Sequence, residues 1–164
     1  MSRGAGNLGP IGSRLGYQLR RVDMMVLEHL SDVLSQLGLA PGRATALAFI
    51  GEQSGCDQMA LGRFLGINRA STMEAVNSLV ALGAVERRAG RDRRCNALHL
   101  TDEGRRLKAE VEAITLEHDQ TFFGVLEEDE RAELQRLLVK TRNLNGAAVS
   151  RRREASGTVT GRVK

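Results

Sequence analysis

A mainly helical fold carrying one small β-hairpin is what the sequence predicts, and three observations predict it. Long stretches towards both ends repeat apolar residues in steps of three and four, the period of a helix with one apolar face. Two short apolar-periodic segments in the middle are separated only by "GIN", a glycine-containing turn. Directly after them, "AVERR" and "CNALHL" alternate like two strands on either side of "AGRD".

Residues 1–12 are rich in glycine and read as a flexible lead-in. From Ser13 to Leu37, the apolar positions Leu15, Leu19, Val22, Val26, Leu30, Val33, Leu34 and Leu37 mark one face of a long helix, which "LGLAPG" breaks. Pro41 fits the first turn of the next helix, because its missing N–H has no partner there, and Ala46, Leu47, Phe49 and Ile50 give that helix its apolar surface. Asp57 is the expected N-cap of a third helix with Leu61, Phe64 and Leu65. Asn68 caps a fourth, which sets Met73, Val76, Leu79, Val80 and Leu82 against polar Arg69, Ser71, Thr72, Glu74, Asn77 and Ser78, and Gly83 stops it. Two short helices around a tight turn form a helix-turn-helix unit, and the hairpin that follows is its wing, over about residues 41–101. Thr101 caps another long helix carrying Leu107, Val111, Ile114, Phe122 and Val125. After "LEEDE", a last helix carries Leu134, Leu137, Leu138, Thr141 and Leu144, so the flanking helices span about 13–37 and 102–145. Residues 146–164 hold almost no large apolar side chains and are expected to be disordered.

A chain of 164 residues suits one domain with a real core. Its net charge of +4 matters less than where the charge lies. Over residues 63–94, Arg63, Arg69, Arg87, Arg88, Arg91, Arg93 and Arg94 stand against only Glu74, Glu86 and Asp92. The C-terminal helical region is acidic and residues 146–164 are basic again. Cys56 and Cys95 are far apart with no CxxC pairing, which argues against a disulfide framework and a cysteine-built zinc site, and for a reducing cytoplasm. No apolar run approaches the roughly 20 residues that span a bilayer, so no membrane role is expected. His29, His99 and His118 follow no zinc-ligand spacing, and the sequence holds no nucleophile elbow and no phosphate-binding glycine loop. The expectation is a binding protein that needs no cofactor, not an enzyme.

The stretch "INRASTMEAVNSLVALGAVERRAGRDRRCNALHLTDEGRR" resembles the MarR-type winged helix-turn-helix transcriptional regulators. It carries an early Ser-Thr pair, a Leu-x-x-x-Gly near the helix end, Val-Glu-Arg-Arg, Asp-Arg-Arg and Leu-Thr-Asp-Glu-Gly-Arg; with the helix order, the resemblance covers about Gly16 to Leu144. It implies a DNA-binding regulator, most simply a repressor, that works as a homodimer. The first and last two helices would form the dimerisation region. Terminal helices with long apolar stripes point the same way independently, since a small winged core cannot cover them all.

Roles on double-stranded DNA follow. Ser71 and Thr72, in the first turn of the recognition helix, can donate to phosphates or base edges, beside Arg69 and the positive helix end. Asn77 continues that polar face. Arg88, Arg91 and Arg93, with Arg87, can neutralise phosphates, and Arg94 is the candidate for the minor groove. The family's Asp-x-Arg pattern implies that Asp92 braces Arg94. Two departures leave base specificity open: Ser78 stands where a basic residue is frequent, and Glu74 can accept from a cytosine amine or face solvent.

The resemblance also implies a small-molecule effector, an aromatic acid or its coenzyme A thioester. Tyr17, Arg20 and Arg21 of "LGYQLRR" are the candidate ligand residues, although Arg20 and Arg21 point about 100° apart on a helix. The rival readings are a redox-responsive regulator, with Cys56 activated at a helix N-terminus or Cys95 in the wing; a metal-responsive one; and a winged-helix module that contacts only proteins.

Overall fold

The structure, a computed structural model, describes residues 9–89 and 96–157, with side chains described as far as residue 143. Arg91, Asp92, Arg93, Arg94 and Cys95 fall outside the described residues, as do residues 158–164 and the side chain of Leu144. Among the described residues, six α-helices and one hairpin follow in order: α1 (Leu15–Ser35), α2 (Pro41–Glu52), α3 (Gln58–Leu65), α4 (Arg69–Ala81), β1 (Val85–Ala89), β2 (Asn96–Leu100), α5 (Asp102–Phe122) and α6 (Glu128–Gly157). They fall into two compact units, Met1–Gln120 and Thr121–Lys164.

The helix ends have the chemistry that the sequence announces. Pro41 opens α2. The Asp57 carboxylate accepts from the Ala60 N–H at 2.7 Å, and the Asn68 side chain accepts from the Ser71 N–H at 2.9 Å, so α3 and α4 each begin on a side-chain cap. Gly66 and Gly83, at φ +67° and +70°, close α3 and α4 in the left-handed conformation that glycine adopts without strain. Two ends differ from expectation. The lead-in is not wholly irregular, since Gly9–Ile11 is a 3-10 turn tied down by Gln18 Nε2, which donates to the Gly12 carbonyl at 2.5 Å. Helix α6 runs to Gly157, past Asn145, where a disordered segment is expected from composition. "GAAVSRRREASG" lacks proline and is rich in Ala and Arg, so helix propensity lets the backbone continue a helix that the lack of large apolar residues would not suggest.

The core of the first unit gathers Leu34 of α1, Leu47 and Ile50 of α2, Leu61 of α3, Val76 and Leu79 of α4, Val85, Leu98 and Leu100 of the hairpin and Val111 of α5. Strands β1 and β2 pair antiparallel with Val85 opposite Leu100 and Arg87 opposite Leu98. Alternation puts Val85, Arg87, Leu98 and Leu100 on one face of the hairpin and Glu86, Arg88 and His99 on the other; Leu98 and Leu100 are buried, whereas Arg87 and Arg88, further along β1, are exposed on opposite faces. The segment between α2 and α3 adds a short third edge: Gly55 N–H donates to the Leu98 carbonyl at 2.8 Å and Leu98 N–H to the Cys56 carbonyl at 2.9 Å. That edge fastens the wing to the helix-turn-helix. Phe64 of α3 is 59 % exposed, with its ring stacked on Phe49 at a centroid distance of 4.3 Å.

Where α4, the hairpin and α5 meet, backbone touches backbone. Thr101 N–H donates to the Ala84 carbonyl at 3.1 Å, its hydroxyl donates to the Gly83 carbonyl at 2.6 Å, and the same oxygen caps α5 by accepting from Gly104 N–H at 2.9 Å. A Cβ on Gly104 would sit 1.9 Å from the Ala84 oxygen. In the same unit, the rings of His29 and His118 lie 4.9 Å apart and bring α1 to α5. Lys108 of α5 reaches Glu112 at 2.5 Å and Glu52 of α2 at 2.9 Å, and those two hydrogen bonds, Glu112 first, hold its ammonium above the usual lysine pKa.

In the second unit, Phe122 and Phe123 meet edge to face at 5.0 Å, and Arg136 forks onto Glu133 with two bonds of 2.6 Å. Leu137, Leu138 and Val139 of α6 are each at least 40 % exposed. Gly104→Ala is expected to lower unfolding stability by about 3 kcal/mol or more, because the clash is with backbone that cannot rotate away. Gly42→Ala meets nothing within 4 Å and should be neutral or slightly stabilising. Urea midpoints of the two variants check the contrast.

Candidate nucleic-acid interface

Helix α4 has two faces, and burial sorts the predicted contacts between them. Thr72, Val76 and Leu79 recur at four and three residues and are buried against the core, whereas Arg69, Met73 and Asn77 recur at four and are exposed, with Glu74 beside them. Ser71 is half-buried in the first turn, and its own N–H is taken up by the Asn68 cap.

Thr72 requires a correction. It is 2 % exposed, its hydroxyl donates to the Asn68 carbonyl at 2.8 Å, and that oxygen stands where a Cβ on Gly62 would be, at 2.7 Å. Its side chain fills the close contact between α3 and α4 and is not presented outward. The sequence places Thr72 in the first turn, but the phase of the buried stripe turns it inward.

Met73 is the opposite case. Counted as apolar surface of the core, it is half exposed, at 50 %, between Arg69 and Asn77 on the outward face. The signal that finds it is its four-residue spacing from both, which outweighs its hydrophobicity.

Asn77 does not stand alone, since its Oδ1 accepts from Arg87 Nη2 at 2.6 Å. This bond ties the outward face of α4 to β1 and spends one donor of Arg87 within the protein. Arg88 is exposed and forks onto Glu86 of its own strand, through Nε at 2.9 Å and Nη2 at 2.5 Å. Exposed pairs of this kind contribute at most about 1 kcal/mol and exchange readily for another anion. Arg69, Arg87 and Arg88 are thus all exposed, Arg87 on the side of the hairpin bonded to α4 and Arg88 on the other, and the described structure does not place Arg91, Asp92, Arg93 or Arg94.

The candidate ligand residues sit on α1, with Tyr17 half-buried and Arg20 and Arg21 exposed, and none of them lines the cleft formed by Ile50, Ser54, Arg88, His99 and Arg105 at the base of the hairpin. Among the described residues, no group of three or more His, Cys, Asp or Glu is placed to hold a metal ion, although His29 and His118 meet. Cys56 differs from expectation. Burial first, and then the Asp57 carboxylate, push its thiol above the ordinary value, although its own backbone N–H pulls the other way. Burial and, after it, the capping carboxylate of α3 together outweigh the backbone N–H that favours the thiolate.

Comparison with known proteins agrees with this geometry. A sequence profile of the MarR family matches residues 37–94, from the end of α1 through the helix-turn-helix into the wing. A transcriptional regulatory protein for the hcr operon of Thauera aromatica is 30 % identical over 132 residues, covering 79 % of this chain and 80 % of the relative. The chain belongs to the MarR family. This MarR-family regulator also superposes on solved relatives. The transcriptional repressor CouR, bound to a 23-mer DNA duplex, matches with a TM-score of 0.77 and 25 % identity over 86 % of this chain and 99 % of that one. The Mycobacterium tuberculosis MarR family protein Rv2887, in complex with DNA, matches with a TM-score of 0.69 and 26 % identity over 79 % and 98 %. The same protein in complex with salicylic acid gives 0.67 and 28 % over 79 % and 96 %. Hairpin and helix-turn-helix are therefore those of a MarR-family winged-helix transcriptional regulator, and among the described residues no helix is long and apolar enough to cross a membrane.

Two outcomes follow. Thr72→Val should cost about 1 kcal/mol of stability in a urea titration and leave the ranking of DNA duplexes unchanged, whereas a changed ranking would put Thr72 back at base edges. In a Cys95→Ser background, Cys56 should react with Ellman's reagent at pH 7.5 several-fold more slowly than a free thiol of ordinary pKa and accelerate as the pH rises past that value; faster reaction would restore it as an oxidant sensor.

Proposed function

We propose that the protein is a cytoplasmic homodimeric repressor that binds a pseudo-palindromic operator in double-stranded DNA and leaves it when a small ligand binds. The observation that carries the reading is the exposed face of α4, where Arg69, Met73 and Asn77 stand in line and Arg87 of β1 is bonded to Asn77. On this reading α4 lies in the major groove. Arg69 and the half-buried Ser71 bind phosphates at the helix start, Asn77 hydrogen-bonds a base edge or remains the clamp of Arg87, and Met73 offers an apolar contact to a thymine methyl. Arg87 and Arg88 neutralise phosphates along the flank, with Arg91 and Arg93, and Arg94, braced by Asp92, reaches the minor groove.

A homodimer is supported by the apolar side chains left exposed on the flanking helices. Leu15, Leu19, Val22, Met24 and Met25 of α1 are each more than 40 % exposed, as are Leu137 and Leu138 of α6. A second copy of the chain covers such surface by the same effect that builds a core. The two recognition helices would then address half-sites about 34 Å apart. An effector is supported by the salicylic acid complex of Rv2887, and Tyr17, Arg20 and Arg21 are retained as proposed ligand residues on α1. The flanking helices about 13–37 and 102–145 are proposed as the dimerisation region around the winged domain at about 41–101.

Operator fragments selected from genomic DNA, followed by fluorescence anisotropy, test the DNA reading. Arg69→Ala should weaken binding several-fold to every duplex and make the slope of log affinity against log salt shallower by about one. An unchanged slope would remove Arg69 from the interface, and retention of no duplex at any salt concentration would leave the protein-contact reading.

A further inference from the structure

The thioether of Met73 is open to small molecules in solvent as well as to DNA. Met73 is 50 % exposed, and Arg69 and Asn77 flank it on the same face of α4, four residues away on either side. Ala70, three residues before it, is also exposed and too small to cover it. Thr72 and Val76 are buried on the opposite side of the helix and Asn77 is tied to Arg87 at 2.6 Å, so the face that carries Met73 is fixed in its orientation. Cys56 is the opposite case among the sulfur groups. Its thiol is half-buried and held above the ordinary pKa by burial and then by Asp57, which slows every reaction that needs a thiolate. A thioether has no proton to lose, so its oxidation requires access and does not wait on ionisation. Met24, Met25 and Met59 are also more than half exposed, but they lie on α1 and α3. What sets Met73 apart is its place between Arg69 and Asn77.

We propose that Met73 is a modification site, at which a peroxide oxidises the thioether to a sulfoxide and thereby lowers the affinity of the protein for DNA. The sulfur attacks one peroxide oxygen, an S–O bond forms as the O–O bond breaks, and the departing hydroxide takes the proton from the sulfur-bound hydroxyl. Methionine sulfoxide and one water remain; the sulfur has lost two electrons and the peroxide has gained them. The consequence for DNA rests on the reading above that α4 enters the major groove. Oxidation turns an apolar side chain into a polar one, which removes the contact to a thymine methyl. The new oxygen is also an acceptor one turn from Arg69, within reach of a guanidinium that otherwise serves a phosphate. Both effects weaken binding. Bound DNA, in turn, shields the sulfur from the oxidant, since the two events oppose each other reciprocally.

The test uses the full chain with hydrogen peroxide as the oxidant and N-acetylmethionine amide in the same tube as the standard for an open thioether. DNA affinity is measured before oxidation and again after it, once dithiothreitol has returned disulfides and sulfenic acids to thiols, and sulfoxides are mapped by peptide mass spectrometry. Met73 is expected to gain one oxygen at a rate within a few-fold of the standard, the Kd for DNA to rise several-fold, and methionine sulfoxide reductases to reverse both. Met73→Leu, compared with its own Kd before oxidation, should show no such rise, although Met24, Met25 and Met59 are still oxidised in it. Saturating DNA added before the peroxide should slow oxidation of Met73 relative to the standard. The site is overturned if Met73 reacts about tenfold more slowly than the standard, or slower still. An equal rise of Kd in Met73→Leu overturns the consequence for DNA, as does full oxidation of Met73 with an unchanged Kd or an oxidation rate that saturating DNA leaves unaltered. Failure to bind DNA before any peroxide is added is a failure of the DNA reading alone, and the peptide map then still decides the site.

Discussion

The contact on which the rest of the winged domain depends is the close approach of Gly104 to the Ala84 carbonyl. At this point the end of α4, the root of the wing and the start of α5 share a few backbone atoms, with the Thr101 hydroxyl bridging them. A side chain at position 104 would push α5 away from the hairpin. Without it, the 3.1 Å bond from Thr101 N–H to Ala84 fixes the angle at which α5 leaves the sheet. Any movement of α5 is therefore felt at the root of the wing. Well-packed junctions of this kind pass displacement on because they cannot absorb it.

From that junction outward, the wing is anchored on three sides by different chemistry. Main-chain pairing of Gly55 and Cys56 with Leu98 joins it to the segment after α2, the Asn77–Arg87 bond joins it to α4, and Ser54 with His99 closes the cleft side. The interior of this arrangement is apolar, with Leu98, Val85 and Leu79 fully or almost fully buried, each side chain contributing about 1.5–3 kcal/mol. Polar bonds at the rim add little stability but fix position. Arginines on β1 are thereby held outward on a rigid strand, where their charge can act on an anionic partner rather than be spread through flexible loops.

The two halves of α4 show how one helix serves both core and surface. Thr72 lies inward against Gly62, and the absence of a Cβ there lets α3 and α4 approach closely. Arg69, Met73 and Asn77 take the opposite side. Between these faces, the caps from Asp57 and Asn68 set where each helix begins and so set the phase of everything that follows. The Asp57 cap has a second effect, since its charge beside Cys56 makes that thiol harder to ionise.

Local chemistry was readable directly. Caps at Asp57, Asn68 and Thr101, the proline start of α2, the glycine stop at Gly83 and the inward Leu98 and Leu100 all depend on interactions within a few residues or on a fixed period, and the linear order of residues contains both. The family was readable for the same reason, because its motif is contiguous from Ile67 to Arg106. What depended on distant partners was not. Thr72 was misplaced because only packing against Gly62 reveals the phase of α4, and Met73 was misplaced because hydrophobicity alone does not say which face is covered. The high pKa of Cys56 needed burial as well as a neighbour, and the Asn77–Arg87 bond needed the register of the hairpin. The cleft brings together side chains from four segments of the chain, from Ile50 to Arg105, that no spacing rule connects. Sequence determined where helices start, stop and alternate; the tertiary structure decided which side of each faces a neighbour, because burial is a property of the assembled chain.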